Sequence, residues 1–184
     1  SGSDLINAEI SFNQDLDGDF IIGTPTIIES SGNTTLLKND NGDGYTKTAS
    51  GSAIAITVNG EQVGDQSYSG WSMLGAETVD GVNQLIWKNT NGEFYRYYFD
   101  ENWAYDGGGY ISGSDLMNAE FSFNQDFSGN GELGTTIESI GNITLLKNGD
   151  GDGYTKTASG SAIAITINGE QVGDQSYSGW SMLG

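Results

Sequence analysis

Apart from two short stretches, the hydrophobic pattern of this chain has the two-residue period of β-strands, not the longer period of helices. Ala53-Ile-Ala-Ile-Thr-Val58 alternates and places Ile54, Ile56 and Val58 on one face. Asn59-Gly60 follows, a strong two-residue hairpin signal that returns the chain through Glu61-Gln-Val63. A second hairpin runs through residues 82–88, Asn91-Gly92 and residues 93–99. A third joins residues 34–38 to residues 45–48 across an Asn/Asp/Gly turn. The exceptions are SDLINAEISF at residues 3–12 and SDLMNAEFSF at residues 114–123. In the first, Ser3 can cap a helix, Asp4 suits its first turn, and Leu5, Ala8 and Phe12 share a face; the second repeats it. The expected fold is mainly β: an antiparallel meander, sandwich-like, with one short helix and one EF-hand-like acidic loop per period.

The chain repeats itself. Residues 1–14 return as residues 112–125, and residues 45–75 return as residues 154–184 with a single change, Val58 to Ile167. A two-residue deletion between Gly134 and Glu138 shortens the second copy, and the period is about 110 residues. This divides the chain into a helix and acidic loop at a junction (1–23), a first β-rich unit (24–111), a second helix and loop (112–134) and an incomplete second β-rich unit (135–184). The expectation is a window from a longer tandem array.

The net charge of −19 sharpens the picture. Such a surface repels nucleic acid and anionic lipid and attracts cations. There is no Cys and no His, which removes disulfides, thiolate chemistry, the commonest general base and the commonest zinc ligand. No apolar run approaches the roughly 18 residues of a membrane-spanning helix.

Asp15-Leu-Asp17-Gly-Asp19-Phe-Ile-Ile22 follows the first helix directly, with oxygen side chains at positions 1, 3 and 5. That is the first half of a Ca²⁺ loop, in which alternate side chains turn inward and hard oxygens converge at about 2.4 Å. The carbonyl of Ile21 would add a ligand, and Ile22 would dock the loop on the core. Position 6 is Phe20 instead of Gly, and position 12 offers no bidentate Glu, so a remote carboxylate, Glu9 or Glu29, is needed to complete the shell. The second loop offers Asp126, Ser128, Asn130 and Glu132, with fewer carboxylates and weaker expected binding. By contrast, Asn148-Gly-Asp-Gly-Asp-Gly153 and its first copy at residues 39–44 lie between strands and read as Asx turns.

The ordered set of residues 12–19, Ile22-Gly23, residues 28–33, 70–77 and 82–89 resembles the tryptophan-rich repeat domain. That domain occurs in large bacterial, notably cyanobacterial, extracellular proteins, often beside hemolysin-type calcium-binding repeats. The likeness covers one full period and most of a second. Two places depart from the family pattern: Phe20 ends an acidic motif that usually ends in Gly, and Trp103 ends Asp100-Glu-Asn-Trp where Gly is usual. The resemblance implies a secreted or surface setting and a repeat module, with no catalytic activity to carry over.

The function expected from all this is a non-enzymatic structural or adhesive module, rigidified by Ca²⁺, whose partners are other copies of the repeat, with strand complementation between incomplete units. The alternative is a carbohydrate-binding module in which Trp71, Trp87, Trp103 and Tyr98 stack on surface glycans. Catalysis by a carboxylate pair such as Glu77 and Asp80 carries little weight in so acidic a chain.

Overall fold

The computed structural model describes residues 2–12, 14–18, 20–131, 133–157, 162–174, 176–179 and 181–183. Two compact units divide the chain, Ser1–Tyr110 and Ile111–Gly184. The first opens with α1 (Gly2–Phe12). Strands β1 (Thr26–Glu29), β2 (Thr34–Lys38), β3 (Gly44–Thr48) and β4 (Ile54–Ala55) form a meander in that order. A small hairpin, β5 (Thr57–Val58) and β6 (Glu61–Gln62), leads to a second meander: β7 (Trp71–Val79), β8 (Val82–Asn89), β9 (Phe94–Phe99) and β10 (Tyr105–Ile111). The pairings β1–β2, β2–β3, β3–β4, β5–β6, β7–β8 and β8–β9 are antiparallel. The chain is mainly β, as its alternation predicts.

All three expected hairpins form, because each is fixed by its turn. Asn59 and Gly60 take φ of 54° and 81°, the left-handed pair that a tight hairpin needs. Asp80-Gly81, with φ of 51° and 81°, does the same between β7 and β8. Four turns share one hydrogen-bond device. The side-chain oxygens of Asn39, Asn89, Asp100 and Asn148 each accept the N–H groups two and four residues later. The amides of Asn39 and Asn148 also donate to Asp43 and Asp152, so those carboxylates serve the turns.

The core of the first unit lies where β1 and β2 meet β7. Leu36, Ile56, Val63, Met73, Ala76, Leu85, Trp87, Phe99 and Trp103 are buried together there. Each large side chain so buried contributes about 1.5–3 kcal/mol. Leu37 points the other way and joins Ile21, Tyr45 and Ala53 in a smaller cluster, so β2 is covered on both faces and loses its alternation.

Three local expectations need correction. Residues 53–58 are not one strand: β4 ends at Ala55 and β5 begins at Thr57, leaving Ile54 exposed while Ile56 drops into the core. Leu5 and Phe12 are exposed, and the residue that α1 buries is Glu9. The second helix, α2 (Ser114–Phe123), starts from Gly113 with no side-chain cap, so Ser114 does not cap it; the side chain of Ser3 lies outside the described residues.

The second unit continues from α2 with β11 (Thr135–Ile140), β12 (Ile143–Lys147), β13 (Gly153–Thr157) and β14 (Ile163–Ala164), then the hairpin β15 (Thr166–Ile167) and β16 (Glu170–Gln171). The β11–β12 pairing shifts register between Thr136 and Glu138, as β1–β2 does between Ile27 and Glu29. Lys147 bonds Asp174 as Lys38 bonds Asp65. Among the described residues no helix is long and apolar enough to cross a membrane.

Candidate functional site

The first acidic loop is organised around two carboxylates. Glu9, fully buried on α1, accepts the N–H groups of Leu16 (3.1 Å) and Asp17 (3.1 Å) at Oε1 and of Gly23 (3.2 Å) at Oε2. Asp15 accepts Gly18 N–H at 2.7 Å and Phe20 N–H at 3.0 Å, one on each oxygen. Asp17 brings a third carboxylate, and the ligand oxygens of Glu9, Asp15 and Asp17 lie within 4.8 Å of one another. Of the two remote carboxylates the sequence offers, Glu9 is the one that joins the loop. Asp19 lies outside the described residues. Ile21, not Ile22, is the anchor: its side chain is buried beside Leu37 and Tyr45. Phe20 takes φ of 69°, the conformation for which Gly is usual at that position. Asp40, on the β2–β3 turn, accepts Thr24 N–H at 3.1 Å and so ties that turn to the loop.

The second loop keeps the carboxylate pair and loses the third member. Glu120, buried on α2, accepts Ser128 N–H at 2.6 Å. Asp126 Oδ1 accepts the Ser128 hydroxyl and the N–H groups of Gly129 and Asn130, and Oδ2 accepts Gly131 N–H. Desolvation pushes its pKa up, but these donors outweigh that and hold the carboxyl below its ordinary range. Ser128 stands where Asp17 does, and Glu132 lies outside the described residues. Among the described residues no carboxylate triad forms here.

The four aromatics proposed to form a platform do not share a surface. Trp87 and Trp103 are buried in the core, 1% and 5% exposed. Tyr98 is exposed but lies on the opposite face of β9 from Tyr95 and Tyr97, beneath the Arg96 guanidinium. Trp71 is half-buried on the aromatic face. There it packs against Tyr95 and Tyr110, with ring centroids 6.4 and 6.2 Å away. Glu77 and Asp80 do not pair either: Asp80 occupies the hairpin turn, while the buried Glu77 accepts Thr34 N–H at 3.0 Å and feels Glu29.

Aromatic side chains thus dominate the β7–β10 sheet, and residues 34–134 match the family model of the tryptophan-rich Synechocystis species C-terminal domain. The chain belongs to this family. The match covers just over half of it, from β2 to the loop after α2, so the tryptophan-rich domain is framed with the helix and acidic loop at its end. No curated protein and no solved structure matches the chain significantly. Within the tryptophan-rich domain, sequence reasoning missed Tyr68, Tyr95, Tyr97 and Tyr110, which line one groove with Trp71 and Trp87. The alternation of Tyr95 and Tyr97 along β9 was the available signal; the partnership of Tyr68 was not visible, because a loop delivers it.

Proposed function

We propose that this chain is a non-enzymatic structural or adhesive repeat module of an extracellular protein, stiffened by Ca²⁺ at its first acidic loop. The observation that carries the reading is the convergence of Glu9, Asp15 and Asp17 at the end of α1, within 4.8 Å. Two oxygens on opposite sides of a Ca²⁺ at about 2.4 Å stand about 4.8 Å apart, so the spacing suits one hard cation. The donor set fits as well. It is all carboxylate, and among the described residues the backbone bonds to Glu9 and Asp15 leave lone pairs on both.

Bound Ca²⁺ would neutralise clustered negative charge. The chain's own groups do the rest: Glu9 and Asp15 hold the loop by its N–H groups, Ile21 ties it to the core, and Asp17 completes the triad. A net charge of −19 and two nearly identical sequence copies support a tandem, surface-exposed setting. The partners in this reading are other copies of the repeat, joined at exposed sheet edges by strand complementation.

Calorimetric titration of the full chain with CaCl₂ tests this. One site per chain is expected, lost in Asp17→Asn and kept in Asp126→Asn. A chain that takes up no calcium, or an Asp17→Asn variant that binds as well as the parent, would sink the reading. Sedimentation with and without EDTA then reports whether assembly follows occupancy.

A further inference from the structure

The β7–β10 sheet carries more aromatic surface than its core uses. Trp103, Phe99, Tyr97, Tyr95 and Tyr110 form a chain of ring contacts with centroids 4.9–6.0 Å apart, running from the buried end of the sheet to its edge. At that edge lies a groove of about 240 Å³ lined by Tyr68, Trp71, Trp87, Tyr95, Tyr97 and Tyr110. Tyr110 is 67% exposed at its mouth. The edge strand β10 carries Gly107, Gly108 and Gly109 between Tyr105 and Tyr110, and a Cβ at Gly108 would stand 2.8 Å from the Tyr95 ring. Gly108 therefore lets β10 lie close against the rings of Tyr95 and Tyr97.

From this we infer that the groove is a binding site for a single neutral pyranose residue of a glycan. Three observations select that ligand. The lining is all ring, and the apolar C–H face of a sugar packs on ring faces. Trp87, part of the lining, has a buried Nε1–H with no hydrogen-bond partner among the described residues. In this proposal a sugar hydroxyl oxygen seated against Trp87 accepts from it, which a quaternary ammonium ion, the other natural guest of an aromatic pocket, does not. The chain's charge of −19 disfavours uronic or sialic acid units. Burial and a bond with Tyr68 push Tyr97 well above the ordinary phenol range, so its hydroxyl stays protonated at every physiological pH. The groove shares no residue with the acidic loop, so this inference stands or falls apart from the calcium reading.

The test is titration of the full chain with neutral mono- and oligosaccharides (glucose, galactose, mannose and N-acetylglucosamine series), followed by tryptophan fluorescence and saturation-transfer NMR. At least one neutral sugar should bind. Tyr110→Ala should weaken it about tenfold, the scale of one aromatic contact. Tyr98→Ala, on the opposite face, should leave affinity unchanged, and circular dichroism should show both variants folded. Absence of binding across the panel, an unchanged affinity in folded Tyr110→Ala, or tighter binding of choline or polygalacturonate than of any neutral sugar would overturn the assignment.

Discussion

Two residues with the same backbone strain and opposite surroundings show how burial decides the sign of a substitution. Phe20 and Trp103 both take left-handed φ, 69° and 58°, at positions where Gly would be unstrained. Phe20 is 59% exposed, so Phe20→Gly should relieve strain at little loss of packing and stabilise the chain by about 0.5–1 kcal/mol. Trp103 is 5% exposed and packs against Phe99, so Trp103→Gly should destabilise by about 2–4 kcal/mol. Urea titrations that moved both variants the same way would contradict this. Glu77 is a third such case. Burial foremost, and also the charge of Glu29, raise its pKa, despite donation from Thr34 N–H. Its favourable contribution is intact at low pH and is lost as pH rises through the raised value. Glu77→Gln, which keeps an acceptor for Thr34, should therefore stabilise at pH 7 by about 1 kcal/mol and converge with the parent near about pH 4. Asp126, shifted downward, pulls the other way in acid. Thermal unfolding across that range checks the sign.

At the level of elements, the helix–loop units are held together by buried acid, against the usual rule for a helix face. That is why α1 was legible as a helix and its buried face was not. Leu5, Ala8 and Phe12 have the right spacing, yet Glu9 faces inward, because only an acceptor can satisfy the N–H groups of Leu16, Asp17 and Gly23. Removing it in Glu9→Ala leaves three donors without that acceptor, at a cost of about 1–3 kcal/mol each where they stay dry. The expected readout is faster proteolysis within residues 14–24 while the β7–β10 meander stays protected. Uniform loss of protection would instead mean that Glu9 supports the whole unit. The hairpins were legible for the opposite reason: Asn59-Gly60 sets its own φ, and Asn39 and Asn89 bond the N–H groups two and four residues on, whatever packs on them.

For the whole molecule, the two units bury equivalent residues unequally. Leu36, Ile56, Val63 and Met73 are buried, whereas the corresponding Leu145, Ile165, Val172 and Met182 are half-buried. The first set packs with Leu85, Trp87, Phe99 and Trp103 of the second meander. A chain extended after Gly184 by a second copy of residues 76–111 should therefore slow amide exchange in β12 and β13 by at least roughly tenfold, the effect of burying one more large side chain. Exchange rates that did not change would show that this face needs no such cover. Three hairpins, both helices and both acidic loops were readable one segment at a time, because each follows from bonds among residues close in sequence. Packing across the fold chose which carboxylate joined Asp15 and Asp17, which tryptophans sank into the core, and which tyrosines met at the sheet edge. Those choices depend on where distant backbone donors and ring faces come to rest, and no local pattern encodes that.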